Sequence, residues 1–385
     1  MTSALMNTYG NRAITLIKGR GCRVWDTDGK EYLDILAGIA VCGLGHCHPA
    51  VTDAITQQAT TLLHTSNLYN LPPQQQAAGL LCELSGMENV FFSNSGAEAN
   101  EAAIKIARKY GHSKDIATPT IITTTNSFHG RTMATLSATG NDKVKQGFAP
   151  LVAGFLELPY NDIAAIENQA GNKSIVAVMV EPIQGEGGIR IPDNDYLPKL
   201  REICDKQGWL LILDEIQTGN GRTGEYYAFQ HYDFLPDVLT TAKGLGNGMP
   251  VGACLTQGKT TGILQPGNHG STYGGNPVAC AAVNAVLTTL KEQKLCQQAQ
   301  QKGDHFVNGL RAALASKTTV TNIRNKGLMI GIELDHPCSE LVAQAAECGL
   351  LLNVTAGNVI RLLPPLIIAD ADIDYAIDIL ATLIH

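Results

Sequence analysis

Several absences narrow what this chain can be. Its ten cysteines include no C-x-x-C pair, which argues against a disulfide framework and a zinc ribbon. No internal repeat or low-complexity tract interrupts it. The longest charge-free apolar stretch, ILAGIAVCGL from Ile35 to Leu44, is too short to cross a bilayer. The opening MTSALMNTYGNRAITLIKGRG has no apolar core of signal-peptide length, so a cytoplasmic location is expected. Nor are basic residues in excess. Lys and Arg number 28 against 35 Asp and Glu, a net charge of −7, which gives no reason to expect nucleic acid or a membrane as partner.

Hydrophobic residues make up 44% and charged residues 16%, the balance of a compact enzyme rather than a disordered chain. At 385 residues, a large domain plus a smaller one is expected. Strand and helix signals alternate through most of the chain. NVFF (89–92) precedes a turn, and EANEAAIKIARKY then shows apolar positions 99, 102, 103, 106, 107 and 110 at helical spacing. The runs PTIITTT around Ile121, SIVAVMV ending at Val180 and WLLIL ending at Leu213 are continuous rather than alternating. Such runs suit strands covered on both faces, and so a central, mostly parallel α/β sheet. From about Gly275 the texture changes to long helices such as NPVACAAVNAVLTTLKEQ and a shorter set of strands (LMIGIEL, NVIRLL). We expect an N-terminal segment (1–45) joining a smaller α+β C-terminal domain (276–385), with a large domain between them (46–275).

One cluster, GLGHCHPAV, invites a metal reading through His46, Cys47 and His48. Three adjacent side chains rarely converge on one ion, and no further ligand pair lies nearby. A loop entering a helix at Pro49, with Val51, Ala54 and Ile55 inward, fits better, so no metal is expected.

Open parallel sheets bind ligands beyond the carboxyl ends of their strands, so the residues just after each apolar run matter most. After NVFF comes SNSGAEAN. Ser95 and Glu98 fit a capping box; equally, the amides of Gly96 and Ala97 at a helix start make a phosphate cradle. After WLLIL comes DEIQTGNGRTG, with Asp214 and Glu215 at a place that should be buried. Gln217 permits a helix cap, yet the glycines beyond it leave little to cap. An unpaired buried carboxylate is costly; Arg222 or a ligand cation would match it. One strand later, TTAKGLGNGMP sets Lys243 among small residues. A partly desolvated lysine has its neutral amine favoured and attacks carbonyls. Phosphate cradle, buried acid and strand-end lysine together suit pyridoxal phosphate, which needs amides, a partner for its ring nitrogen and an amine.

The motifs SNSGAEANEAAIKIAR, SFHGRT, EPIQGEGG, LDEIQTGNGRTG, TTAKGLGNGMP and GSTYGGNP resemble, in order and spacing, those of the class III (ornithine-type) aminotransferases. The likeness runs from VWDTDGKEYLDILAGIAVCGLGH to VIRLLPPL and is greatest to the acetylornithine branch. It implies a fold-type I architecture and a Schiff base between the cofactor and Lys243, which also shuttles protons. By the same resemblance Asp214 pairs with the pyridine nitrogen, Gln217 bonds the ring hydroxyl, and Glu215 and Ile216 adjoin the cofactor. Phe128 stacks on the ring, and Ser95, Gly96 and Ala97 hold the phosphate. Thr272 of a neighbouring subunit completes that cradle, making a homodimer obligatory. Ser271 touches substrate.

The implied substrates are an acylated ornithine and the pair 2-oxoglutarate and glutamate. Arg131 suits the far carboxylate of both donors, and Arg361 the near carboxylate of glutamate. Glu186 neutralises Arg361 when an acylated ornithine presents only methylenes there; otherwise it is a solvent-facing loop acid. Ornithine, succinylornithine and 4-aminobutyrate aminotransferases and an aminomutase share this fold and cofactor. FHGRT with Arg361 favours a carboxylate-bearing donor over the aminomutase. A catalytically silent binding protein is the rival outside enzymes, and an intact Lys243, Asp214 and Arg361 speak against it. Asn220 departs from the apolar or small residue usual in DEIQTG-x-GRTG, and Asn247 marks the loop GLGNGMP. Neither is expected to touch the chemistry.

Overall fold

The computed structural model describes residues 4–10 and 13–385. Residues 1–3 and 11–12, part of the expected segment 1–45, lie outside the described residues. Three antiparallel strands come first: β1 (Leu16–Arg20), β2 (Arg23–Asp26) and β3 (Glu31–Asp34). A fourth strand, Leu350–Leu351, arrives from far along the chain and runs parallel to β3. The first strands and the C-terminal third are therefore built into one sheet. His46 meets Asp34 through Nε2 and Oδ2 at 2.7 Å, and beyond it the helix Pro49–Thr61 buries Val51 fully and Ala54 and Ile55 in part.

The central sheet has seven strands: β4 (Asn89–Ser93), β5 (Thr120–Thr124), β6 (Phe155–Leu158), β7 (Ile175–Val180), β8 (Leu210–Asp214), β9 (Val238–Thr241) and β10 (Gly252–Thr256). Their spatial order is β4-β10-β9-β8-β7-β5-β6. Only β10 runs against its neighbours; the other six share one direction. The apolar runs forming β7 and β8 are buried at every position, as strands covered on both faces must be. The helix Gly96–His112 covers one face. Its inward positions 99, 102, 103, 106, 107 and 110 are those of the helical spacing, mostly alanines that let it lie close to the strands. At its start the Ser95 hydroxyl accepts from Glu98 N (3.3 Å), while the Glu98 carboxylate accepts from Asn94 N rather than from Ser95 N (2.8 Å).

The C-terminal sheet is antiparallel, with β11 (Val320–Lys326), β12 (Met329–Leu334), β15 (Val359–Leu362) and β14 (Asn353–Thr355) in that order; β13 is Leu350–Leu351. The helix Leu295–Ala313 packs across the turn between β11 and β12, and contact is closest at Gly303. A Cβ on Gly303 would stand 2.1 Å from the Gly327 carbonyl oxygen. Alanine ordinarily stabilises a helix interior by about 1 kcal/mol relative to glycine. Gly303→Ala should do the opposite, because the obstacle is backbone, with a net cost of about 1–3 kcal/mol typical of overpacking. A melting temperature lower than wild type is the expected result; an increase would show that the turn yields freely.

Candidate active site

Because six central strands share one direction, their carboxyl ends meet at one edge. The segments leaving β4, β5, β7, β8 and β9 there enclose a cavity of about 380 Å³. Ser95, Gly96, Ala97, Phe128, Arg131, Glu186, Asp214, Ile216, Gln217 and Lys243 all line it. Residues spread over 149 positions of sequence are brought together by the common direction and the order of these strands.

Asp214 ends β8 and is 3% exposed. Its Oδ2 accepts from Asn100 Nδ2 and from His129 Nδ1, both at 2.7 Å, and its Oδ1 accepts from Ile216 N at 3.1 Å. Asn100 is itself oriented, accepting from the Thr240 hydroxyl (2.7 Å) and donating to the His129 carbonyl (2.8 Å). Burial disfavours a charge on His129, but the hydrogen bond and charge of Asp214, with Glu181, raise its pKa overall. His129 is the side chain whose ring faces Asp214. Arg222 does not face it: its Nη1 donates to the carbonyls of Leu328 (3.0 Å) and Pro364 (2.6 Å) elsewhere.

Lys243 follows β9 through an unusual backbone, Ala242 at φ −165°, ψ −142° and Lys243 at φ +47°. Burial lowers its pKa from the ordinary 10.5; Glu186 opposes this, Arg361 reinforces it, and Asp214 and Glu181 oppose it further. Two glycines let the chain pack closely against Ile216 and Gln217 of the cavity wall. A Cβ on Gly96 would lie 2.6 Å from Ile216 Cδ1, and one on Gly185 would lie 2.1 Å from Gln217 Oε1. That Gln217 oxygen is buried and has no hydrogen-bond partner among the described residues.

Arg361, fully buried on β15, donates from Nη1 to Glu186 Oε1 at 2.5 Å and from Nε to Asn353 Oδ1 at 3.1 Å. Burial works to raise the Glu186 pKa, yet Arg361, Lys243 and a hydrogen bond from Gln217 hold it below the usual range. Arg131 is exposed at the mouth, 5.5 Å over the Phe128 ring. It also lines an outer hollow of about 1030 Å³, shared with Phe128 and Glu186.

Three expected site residues are not brought to the cavity. The Glu215 carboxylate accepts from Ala228 N and Phe229 N, both at 2.9 Å, and from the Thr218 hydroxyl, so it secures the 228–231 turn. Ser271 accepts from Asn94 Nδ2 (3.2 Å) and Gly274 N (2.9 Å) and lines a separate hollow. Thr272 is exposed outside the chain's own cavity.

The family profile described as Aminotransferase class-III matches residues 5–384. The chain belongs to the class-III aminotransferases. It is 50% identical over 383 residues to an acetylornithine aminotransferase of Nitrosomonas europaea, covering 99% of this chain and 98% of that one. The ornithine aminotransferase of Toxoplasma gondii, with pyridoxal phosphate at partial occupancy in its active site, superposes with a TM-score of 0.94. Identity there is 37%, covering 98% of this chain and 91% of that one. Acetylornithine aminotransferase of Elizabethkingia anophelis gives 0.89 at 36% identity, over 98% and 96%.

Other residues of this class-III aminotransferase site escape a reading of motifs. Glu181 comes after β7 just as Asp214 ends β8, an acid directly after a wholly apolar run, and that was its signal. It is 6% exposed and accepts from Phe128 N (3.0 Å) and Gly185 N (3.3 Å), bracing both loops that form the cavity wall. Asn100 was detectable as a polar residue among alanines on a buried helix face. Asn220 and Asn247, expected to stand apart from the chemistry, are buried against the segment carrying Lys243. Asn220 Nδ2 donates to Thr241 Oγ1 (3.0 Å) and the Ala242 carbonyl (3.1 Å). Asn247 accepts from Leu44 N (2.8 Å) and donates to the Gly45 carbonyl (3.0 Å).

Burial raises the Glu181 pKa from 4.5 to about 7; His129 opposes the shift and Asp214 adds to it. The native protein thus holds a proton here that the unfolded chain releases near 4.5, so stability falls as pH rises through this window. Glu181→Gln removes the titration. The wild type should lose melting temperature relative to this variant between about pH 4.5 and 7, then run parallel above it. Parallel curves throughout would mean that Glu181 ionises normally.

Proposed function

We propose that this class-III aminotransferase moves the terminal amino group of N-acetylornithine to 2-oxoglutarate, giving N-acetylglutamate semialdehyde and glutamate, with pyridoxal phosphate bonded through a Schiff base to Lys243. When bound, that cofactor supplies an aldehyde that condenses with amines and a ring that takes up the electron pair left as a proton leaves carbon. The residues present suit it. The unpartnered, buried Gln217 oxygen awaits a hydroxyl donor. Asp214, fixed by three N–H donors, suits a protonated ring nitrogen. Ser95, Gly96 and Ala97 open a 17-residue helix, whose free amides and dipole favour a phosphate. Phe128 and Ile216 would flank the ring. Thr272, exposed on this chain, would close the phosphate site of a second copy in a homodimer. Lys243 Nζ, its pKa lowered by burial, accepts and returns the substrate's proton.

The observation that carries the substrate assignment is the Arg361–Glu186 pair, a buried guanidinium covered by a part-exposed carboxylate on a glycine-flanked loop. Glutamate has a carboxylate beside its reacting amine, whereas acetylornithine has only methylenes there. With Glu186 on Arg361 the site is electrically closed and accepts the methylenes. With Glu186 withdrawn, Arg361 takes the near carboxylate of glutamate. Arg131, at the mouth, serves the far carboxylate of both donors. Ser271, on a neighbouring hollow, would contact substrate only from another copy. The large domain would span 46–275 and the small one 276–385 with 1–45. The enzyme would work in the cytoplasm, a reducing compartment in keeping with ten free cysteines.

Half-reaction spectra with acetylornithine, succinylornithine, ornithine and 4-aminobutyrate offered separately test the assignment, and preference for a donor other than acetylornithine overturns it. Lys243→Ala should bind the cofactor without a borohydride-reducible link and lose transamination; a variant that keeps the reducible adduct and turns over refutes the role given to this lysine. Arg361→Ala should weaken glutamate by about 1.5–3 kcal/mol, the range for a charge-assisted pair, and leave acetylornithine nearly unaffected. Glu186→Ala should do the reverse. Equal losses for both donors in single-turnover spectra would reduce the two residues to supports of the pocket.

A further inference from the structure

We infer that Asn220 is a positioning residue for Lys243, acting through the Ala242 backbone; this rests on the reading of Lys243 as the reactive amine. Lys243 occupies a left-handed conformation, φ +47°, that a side-chain-bearing residue adopts only when its surroundings impose it. The residue before it is equally irregular, at φ −165° and ψ −142°. The Ala242 carbonyl is the pivot. It accepts from Leu245 N at 3.0 Å, closing the Lys243–Leu245 turn, and from Asn220 Nδ2 at 3.1 Å. A carbonyl can only accept, so the amino group of Asn220 must face it. The same group donates to Thr241 Oγ1 at 3.0 Å, spanning the last residue of β9 and the first beyond it.

Asn220 is 6% exposed, and its own oxygen has no partner among the described residues, so the side chain is oriented by what it donates. Its φ of +57° suits asparagine or glycine. Contact extends beyond the hydrogen bonds. A Cβ on Gly244 would stand 3.2 Å from the Asn220 Cβ, so the turn rests against this side chain. Asn247 ties the far end of the same loop to Leu44 and Gly45. The lysine is thereby suspended between two asparagine amides, of which Asn220 holds the end nearer the amine-bearing residue.

Asn220→Gly keeps the left-handed backbone and deletes the amide; Asn220→Asp keeps size and shape but its carboxylate cannot donate to Ala242. Hydrogen exchange in cofactor-free protein is the first readout. Amides of Lys243–Gly246 should exchange at least about tenfold faster in both variants, as expected for loss of the contacts that hold a local segment closed. In cofactor-loaded enzyme kcat should fall about tenfold or more with KM changed less than about twofold, because misplacement of a reacting group is felt in the chemical step. The pH profile should shift upward as the lysine becomes more hydrated. A lowered melting temperature with normal kcat and normal exchange over 243–246 would make Asn220 an ordinary loop clamp and overturn the inference. If Asn220→Gly does not fold, Asn220→Asp decides by the same readouts. Failure of the underlying reading is distinct: Lys243→Ala would then turn over, whatever Asn220 does to exchange.

Discussion

A charge taken out of water must be met by another charge or by donors and acceptors aimed at it. The architecture around this cavity obeys that constraint. Asp214, Glu181, His129, Glu186 and Arg361 all stand in or beside one cavity, and each is held by groups from a different segment. Asp214 illustrates the pattern. Its donors come from the helix after β4, the loop after β5 and the turn after β8. Moving any of these would leave a carboxylate stranded, so the loops are as constrained as the strands.

The same constraint separates fixed pairs from movable ones. Asp214 and His129 are both almost wholly buried, and Asp214 is held further by Asn100 Nδ2 and Ile216 N, so this pair is fixed. Arg361 is equally buried, but the Glu186 side chain facing it is 37% exposed and sits on a glycine-flanked loop. A partner with access to water is itself resolvated when it leaves, but the buried guanidinium it uncovers then needs another anion. The proposed switch between two donors rests on that asymmetry, one charge locked in the sheet and its cover part-exposed.

Much of this was legible in the sequence, and the reasons are specific. Continuous apolar runs reported β7 and β8 because a strand covered on both faces has no polar position to show. Apolar spacing reported the Gly96–His112 helix because its alanines face the sheet every third or fourth residue. Asp214 was recognisable since it comes directly after such a run, and Lys243 because it stands among small residues just past the next strand. Glu215 misled for the same reason: adjacency to a buried strand says that a carboxylate is enclosed, not what it faces. Successive residues point to opposite sides, and one position turned Glu215 toward the Ala228 and Phe229 amides instead of the cavity.

By itself, then, the sequence determined the elements, the sheet class and the residues able to carry the chemistry, since these depend on local spacing and on what lies within a few positions. The tertiary structure decided the partnerships. That His129 rather than Arg222 matches Asp214, that Glu186 covers an arginine 175 positions away, and that Asn220 grips the backbone before Lys243 all depend on strand order and on which loops share one edge of the sheet. A hydrogen bond needs two groups within about 3 Å, and between distant segments only the folded chain sets that distance.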